Sequence, residues 1–219
     1  MTEHNFEHMR RAMVASQLRT TGVSDPRVVA AMGEVPRERF VPADRCALAY
    51  ADALVPLGHG RQLNSPMAVG RMLTEAHLSG DERALVIGAA TGYSAALLDR
   101  LVRSVVAVEE VPELVEFARG ALAGTGIEVV QAPLAAGHAP GAPYDFILID
   151  GAVEYVPPVI VDQLADGGEF ALAIVDEGIR GVSRLCVGRV VSGAFGTTAF
   201  ADVAAAVLPG FVKPRIFSF

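Results

Sequence analysis

After Gly80 the chain passes through five short apolar runs, Ala84–Ile87, Val105–Val108, Glu128–Val130, Phe146–Ile149 and Phe170–Val175, most of them separated by stretches with helical spacing. A strand that returns in the same direction needs a crossover of a dozen or more residues, and a helix supplies it, so strands alternating with helices predict a parallel sheet. The runs lack polar alternation, which means both faces of that sheet are covered. A doubly wound α/β sheet is the expected architecture. With 219 residues and 52% hydrophobic side chains, the chain has material for one such core and a small extra lobe.

Before Gly80 the pattern is different. Met9–Leu18 and Asp25–Met32 read as short amphipathic helices, the second opened by Ser24-Asp25-Pro26, a cap followed by proline in the first turn. VPRERFVP (Val35–Pro42) is predicted to be extended or turn, Tyr50–Pro66 a loop, and Met67–Ala76 a helix. At the other end, Val182–Val191 and Phe195–Val207 read as two strands joined at Ser192-Gly193, an antiparallel hairpin. Residues 1–79 are thus expected to form a helical N-terminal lobe ending in a loop. Residues 80–219 form the sheet, and the whole is one compact unit.

In an open α/β sheet, ligands bind at the carboxyl ends of the strands, where the first strand meets the first helix. In LVIGAATGYSAAL, Gly88 ends that strand and Gly92 opens that helix. The next strand, SVVAVEE, ends in Glu109, roughly 20 residues beyond Gly88, where a carboxylate can accept hydrogen bonds from both hydroxyls of a ribose. The combination points to a nucleoside-containing ligand. The turn is G-A-A-T-G rather than the G-x-G-x-x-G of a pyrophosphate binder, which favours S-adenosylmethionine, a ligand without phosphates, over NAD.

Several strings extend that reading. MVASQLRTTGVSDPRVVAAMGEVPRERFVP, YADALVPLGHGRQLNSP, IGAATGYSAAL, VAVEEVPEL, APYDFILIDGAVEYVPPVIVDQLADGGEFALAI and FADVAAAVLPGF run almost end to end. Together they resemble protein-L-isoaspartate O-methyltransferases, whose corresponding segments read VPRExFVP, LPIGxGQTIS-x-P, IGTGSGYQAA, SVERIxEL, QLxxGGxLVxPV and VxFVPL. The resemblance implies a class I S-adenosylmethionine-dependent methyltransferase fold, a Rossmann-like doubly wound sheet with a helical N-terminal lobe and a C-terminal antiparallel hairpin. It implies a cytoplasmic repair enzyme that methylates the free carboxylate of isoaspartyl residues in damaged proteins or peptides.

Carried over position by position, the resemblance implies cofactor contacts at Gly88, Ala90, Gly92, Tyr93, Glu109, Pro133 and Leu134. It implies acceptor contacts at His59 and Gln62, and catalytic positions at Arg61, Asn64 and Ser65. The family's Gln-Thr-Ile-Ser falls on Arg61, Gln62, Leu63 and Asn64, so amides and a guanidinium replace hydroxyls, and both can donate to a carboxylate. Val86 stands where the family has an acid, Ala90 where it has a glycine, and Ala132-Pro133-Leu134 where it has Gly-Asp-Gly. Pro133 has neither a carboxylate nor an amide hydrogen for the adenine.

Two other readings stay open. One is a catalytically degenerate relative that binds a ligand or partner through the same cleft. The other is a methyltransferase for a small-molecule acceptor, in which Asp150, Asp176 and Glu177 resemble a magnesium-binding carboxylate set; the simpler role of such acids is to cap turns. His4 and His8 stand one helical turn apart without an evident third ligand, so no metal site is expected. Arg37 and Arg39 read as surface ion-pair residues or a peptide-binding patch. A net charge of −7 argues against a general nucleic-acid surface. Cys46 and Cys186 make no disulfide framework, MTEHNFEHMRRAM has no signal-peptide core, and no apolar stretch reaches membrane-spanning length. The chain reads as soluble and cytoplasmic.

Overall fold

The computed structural model describes residues 3–213, without the side chains of Glu3 and His4. Its centre is a seven-stranded sheet. In chain order the strands are β3 (Arg83–Ile87), β4 (Ser104–Glu109), β5 (Glu128–Gln131), β6 (Tyr144–Val153), β7 (Leu164–Val175), β8 (Ser183–Val191) and β9 (Ala194–Val203). The spatial order is β5-β4-β3-β6-β7-β8-β9, with parallel pairs through β7 and antiparallel pairs beyond it. The predicted runs all lie in strands, and Ser192 and Gly193, at φ 51° and 76°, make the two-residue turn of the terminal hairpin.

The period-two geometry of a strand divides its residues between two cores. Ala84, Val86, Val105, Ala107, Phe146 and Leu148 point into one apolar cluster with Met13, Met32, Leu73, Leu97 and Leu114. Leu85, Ile87, Val106, Val108, Ile147 and Ile149 point into the other, with Leu134, Ile160, Leu208 and Phe211. The first face is therefore covered by helices α1 (Glu3–Met13), α2 (Pro26–Glu34), α3 (Pro66–Glu75), α4 (Tyr93–Leu98) and α5 (Pro112–Ala121). The second carries α6 (Pro158–Val161), the short turn Leu134–Ala136 and the C-terminal segment. Among the described residues no helix is long and apolar enough to cross a membrane.

Three local expectations need correction. The helix expected over Met9–Leu18 starts earlier, widens after Met13 into a π-type turn (Val14–Leu18) and then tightens into a 3₁₀ turn (Arg19–Thr21). VPRERFVP is a 3₁₀ turn, Arg37–Phe40, flanked by extended residues, in keeping with the expected extended-or-turn segment. The stretch expected to be loop holds an antiparallel hairpin, β1 (Val55–Gly58) with β2 (Arg61–Leu63). Its alternation is real: Val55, Leu57, Arg61 and Leu63 are buried, while Pro56 is exposed, Gly58 and Gly60 flank the turn, and Pro66 opens α3. Finally, the last strand stops at Val203 rather than Val207. The chain leaves the hairpin and binds β6: Ala152 N–H donates to Ala206 C=O at 2.7 Å and Leu208 N–H to Ala152 C=O at 2.9 Å.

Candidate active site

The site lies where β3, β4 and β6 end, on either side of the point at which strand order reverses. The N–H groups of Gly88 and Ala89 both donate to the Val108 carbonyl at 3.0 Å, which pins the turn to the neighbouring strand. Gly88, Ala90 and Gly92 have φ of 79°, 50° and 98°, so the alanine occupies left-handed backbone that favours glycine. A Cβ on Gly92 would lie 2.8 Å from a Leu122 methyl, and one on Gly88 would lie 3.0 Å from both Leu208 methyls. The first glycine of the turn thus leaves room toward the C-terminal segment, and the last lets α4 pack on α5.

Ala90 is held there by Glu109. The carboxylate of this β4 residue accepts the Ala90 N–H at 2.8 Å on Oε2, and the N–H groups of Glu110 and Val111 at 3.0 and 3.2 Å on Oε1. Arg61 Nη2 completes the set at 2.8 Å on Oε2. The Glu109 side chain is 0% exposed and that of Arg61 2%, an ion pair taken out of water. Arg61 reaches it from β2, next to a turn in which Gly58, His59 and Gly60 all have positive φ. Its Nε and Nη1 are buried and have no partner among the described residues.

A second carboxylate stands one strand away. Asp150 of β6 accepts Asn64 Nδ2 at 2.7 Å on one oxygen and the Ser94 hydroxyl on the other. Burial pushes its carboxyl above the usual range, against the donors Ser94 and Asn64 and the charges of Arg37 and Arg61. Asn64 makes two further contacts: its Oδ1 accepts the Ala206 N–H at 2.8 Å, and its carbonyl accepts Arg37 Nη2. Arg37 also donates Nε–H to the Ala49 carbonyl at 2.6 Å and lies over the Tyr93 ring, 4.6 Å from its centroid. Burial pulls its guanidinium below the usual value, partly offset by Tyr93 and Asp150.

The structure brings Arg61, Gly88, Ala90 and Glu109 together, sets Asn64 against Asp150 and Ala206, and packs Gly92 on Leu122. Ser65 caps α3, its hydroxyl accepting the Ala68 N–H at 3.3 Å. Tyr93 opens α4, but its ring is buried against Arg37 and Phe40, so its backbone is what faces the turn. Leu134 N–H donates to Glu110 at 3.4 Å, and Pro133 precedes it at the surface. Gln62 is half-buried, and His59 is exposed with Nδ1 3.9 Å from Glu113. The magnesium-type set is not assembled from free acids: Asp176 accepts the Gly178 and Ile179 N–H groups and Glu177 pairs with Lys213. The His4–His8 pair falls on a side chain outside the described residues.

Sequence reasoning missed Arg37 and Ser94. The surface role expected for Arg37 is corrected: it is wholly buried, whereas Arg39, two residues on, is exposed. The pairing of Asp150 with Asn64 spans 86 residues of sequence, which no local pattern reports.

Residues 9–185 match the family model described as protein-L-isoaspartate(D-aspartate) O-methyltransferase. A protein-L-isoaspartate O-methyltransferase 1 of Rhodopseudomonas palustris is 39% identical over 83% of this chain and 76% of its own. A protein-L-isoaspartate O-methyltransferase 2 of Marinobacter nauticus is 38% identical over 91% and 92%. Among solved structures, a protein-L-isoaspartate O-methyltransferase superimposes with TM-score 0.79 at 23% identity, over 93% of this chain and 66% of that one. A Plasmodium falciparum protein described by the same activity, in complex with S-adenosyl-L-homocysteine, gives 0.74 at 17%, over 93% and 97%. The fold is the Rossmann-like sheet of class I methyltransferases. By sequence as well as by fold, the chain belongs to the protein-L-isoaspartate(D-aspartate) O-methyltransferase family.

Proposed function

We propose that the protein is an S-adenosylmethionine-dependent O-methyltransferase for the free carboxylate of L-isoaspartyl residues in damaged proteins. The observation that carries the reading is Glu109: a strand-end carboxylate whose backbone donors fix it beside a turn of small residues, in a chain of this family. In this reading the cofactor frame is the turn between β3 and α4 together with Glu109, against which Arg61 and Leu208 lie. Gly88, Ala90, Gly92 and the Tyr93 backbone line the methionine side, Glu109 receives the ribose, and the Pro133-Leu134 turn borders the adenine. Bound there, S-adenosylmethionine supplies a methyl group already activated by the positive charge on its sulfur.

The rest is the work of the chain. An isoaspartyl carboxylate is ionised at neutral pH, so no residue has to remove a proton from it. What the site must supply is alignment and charge balance, because the Glu109 carboxylate would repel an incoming anion. Arg61 and Arg37 provide the compensating positive charge, and Asn64 and Ser65 shape the loop that holds the acceptor. His59 and Gln62, at and beside the hairpin turn, face the peptide that carries it. This reading divides the chain near residue 80 into an N-terminal lobe with the acceptor loop and the cofactor-binding core. A cytoplasmic location goes with it, supported by the free thiols of Cys46 and Cys186.

One observation favours a second reading, a relative that has lost the activity: Asp150 takes one of the two amide N–H groups of Asn64 and Ala206 its oxygen, leaving a single N–H to donate to an acceptor. Calorimetric titration with S-adenosylmethionine, followed by methyl transfer to an isoaspartyl peptide and its aspartyl control, decides between them. Turnover confined to the isoaspartyl peptide is the expected result. Binding without turnover would favour the second reading, and no binding at millimolar cofactor would sink the methyltransferase assignment.

A further inference from the structure

The side chains that border the cofactor frame also fill it. Glu109 has no exposed surface, and Arg61, itself almost wholly buried, is paired with it. The space in front of Gly88 is taken by the end of the same guanidinium, with Nη2 3.2 Å from where a Cβ would stand, and by the methyls of Leu208. Glu109 Oε2 already accepts two hydrogen bonds, from the Ala90 N–H and from Arg61, and Oε1 accepts two more from backbone N–H groups. A carboxylate so occupied has no free direction for ribose hydroxyls. The three backbone donors are built into the turn and the strand end. Arg61 is the exchangeable one.

Two features show that Arg61 is parked rather than locked. Only one of its nitrogens is satisfied; Nε and Nη1 are buried without a partner among the described residues, which is costly for donors on a cation. And β2, which carries it, follows three consecutive residues with positive φ, Gly58, His59 and Gly60, and pairs with β1 through an irregular register. A short two-stranded ribbon of this kind can swing the side chain out by changing a few turn dihedrals.

We propose that Arg61 is a movable ligand of Glu109, specific to this chain: it holds the carboxylate until ribose hydroxyls take its place, and, once released, it is the group that receives the acceptor carboxylate. The proposal rests on the cofactor reading given above. Its consequence is order. Glu109 and the acceptor compete for one guanidinium, so the acceptor site is complete only in the cofactor-loaded protein, and by linkage the cofactor tightens acceptor binding by the factor by which the acceptor tightens cofactor binding. The parked state also lowers the apparent cofactor affinity by the fraction of molecules in which Glu109 is taken.

The test is titration of the wild-type protein and of Arg61→Gln with S-adenosylhomocysteine, read by calorimetry. Glutamine removes the charge, keeps much of the length, and leaves Glu109 its three backbone donors. The expected result is binding at least tenfold tighter in the variant, together with a loss of affinity for isoaspartyl peptide in the loaded protein. Equal or weaker binding by a folded variant, with the wild type binding, would overturn the movable-ligand proposal and leave the methyltransferase reading intact. Failure of both proteins to bind at millimolar ligand would overturn the two together. A measurement on the unaltered protein stands beside it if the variant does not fold. With arginine labelled by nitrogen-15, the slowly exchanging Nε–H signal of Arg61 should shift and exchange faster with solvent when S-adenosylhomocysteine is added. An unchanged signal in the saturated protein would sink the proposal.

Discussion

At the scale of single residues the site is a contest between burial and pairing. Asp150 shows which wins. Its surroundings hold it with donors from Asn64 and Ser94 and with the positive charges of Arg37 and Arg61, yet burial dominates and its carboxyl is raised. A raised folded-state value means the native protein binds the proton more readily than the unfolded chain, whose aspartate titrates near ~3.9. Stability from this group therefore increases as pH falls through the folded value, and stops increasing near the unfolded one. Asp150→Asn cannot show this component, while an amide still finds partners in Asn64 and the Ser94 hydroxyl. Denaturant unfolding of both proteins between pH 8 and pH 4 should show the stability of the wild type rising relative to that of the variant as pH falls. The change can reach about 1.4 kcal/mol for each pH unit over which Asp150 is charged only in the unfolded chain. Parallel curves would rule the account out.

Residue identity in the site was only half legible in sequence, for a physical reason. Glu109 could be placed because its role depends on spacing along one βαβ unit, and that spacing is local. The commitments of Arg61 and Asn64 could not be read, because they depend on partners 48 and 86 residues away. Arg37 and Arg39 sit in one string of alternating charge, and only the 3₁₀ turn between two prolines decides which faces inward.

At the scale of elements, the parallel strands were legible because burial on both faces leaves an apolar run that needs no knowledge of neighbours. The β1–β2 ribbon was not, since its turn residues mask an alternation only four residues long. The turn between β3 and α4 lies between these cases: its glycines were visible, but their separate duties were not. Gly92 has φ 98° and would place a Cβ 2.8 Å from Leu122, so its reason is packing of α4 on α5 as much as backbone freedom. Gly92→Ala should cost about 2–5 kcal/mol, combining left-handed strain of ~1–2 with overpacking of ~1–3. Leu122→Ala on its own should also destabilise, by about 2–4 kcal/mol. The double variant should be less damaged than the sum by at least ~1 kcal/mol, because removing the leucine relieves the clash. Additive losses in thermal or denaturant unfolding would show that backbone strain alone explains the glycine.

On the scale of the whole molecule, the striking of a boundary near residue 80 has to be set against the packing. Met13, Leu18, Val28 and Met32 share one apolar cluster with Ala84, Val86, Ala107 and Leu148, so the N-terminal segment is one wall of the core on that face of the sheet. The C-terminal segment is tied the same way, through Ala206 and Leu208 to Ala152 and through Ala206 to Asn64. The β1–β2 ribbon with Asn64, the turn between β3 and α4 and the chain's last described segment thus meet at the ends of the strands and depend on the same packing. A chain built this way should unfold in a single transition, with far-ultraviolet circular dichroism and tyrosine absorbance coincident. Because S-adenosylhomocysteine would bind only where those parts meet, it should move the whole transition and not one limb of it. At a hundred times its dissociation constant the gain is about 2.7 kcal/mol, or roughly 5–10 °C for a chain of this length. Two resolved transitions, with only the later one shifted by ligand, would show that the N-terminal lobe folds apart from the site it helps to close.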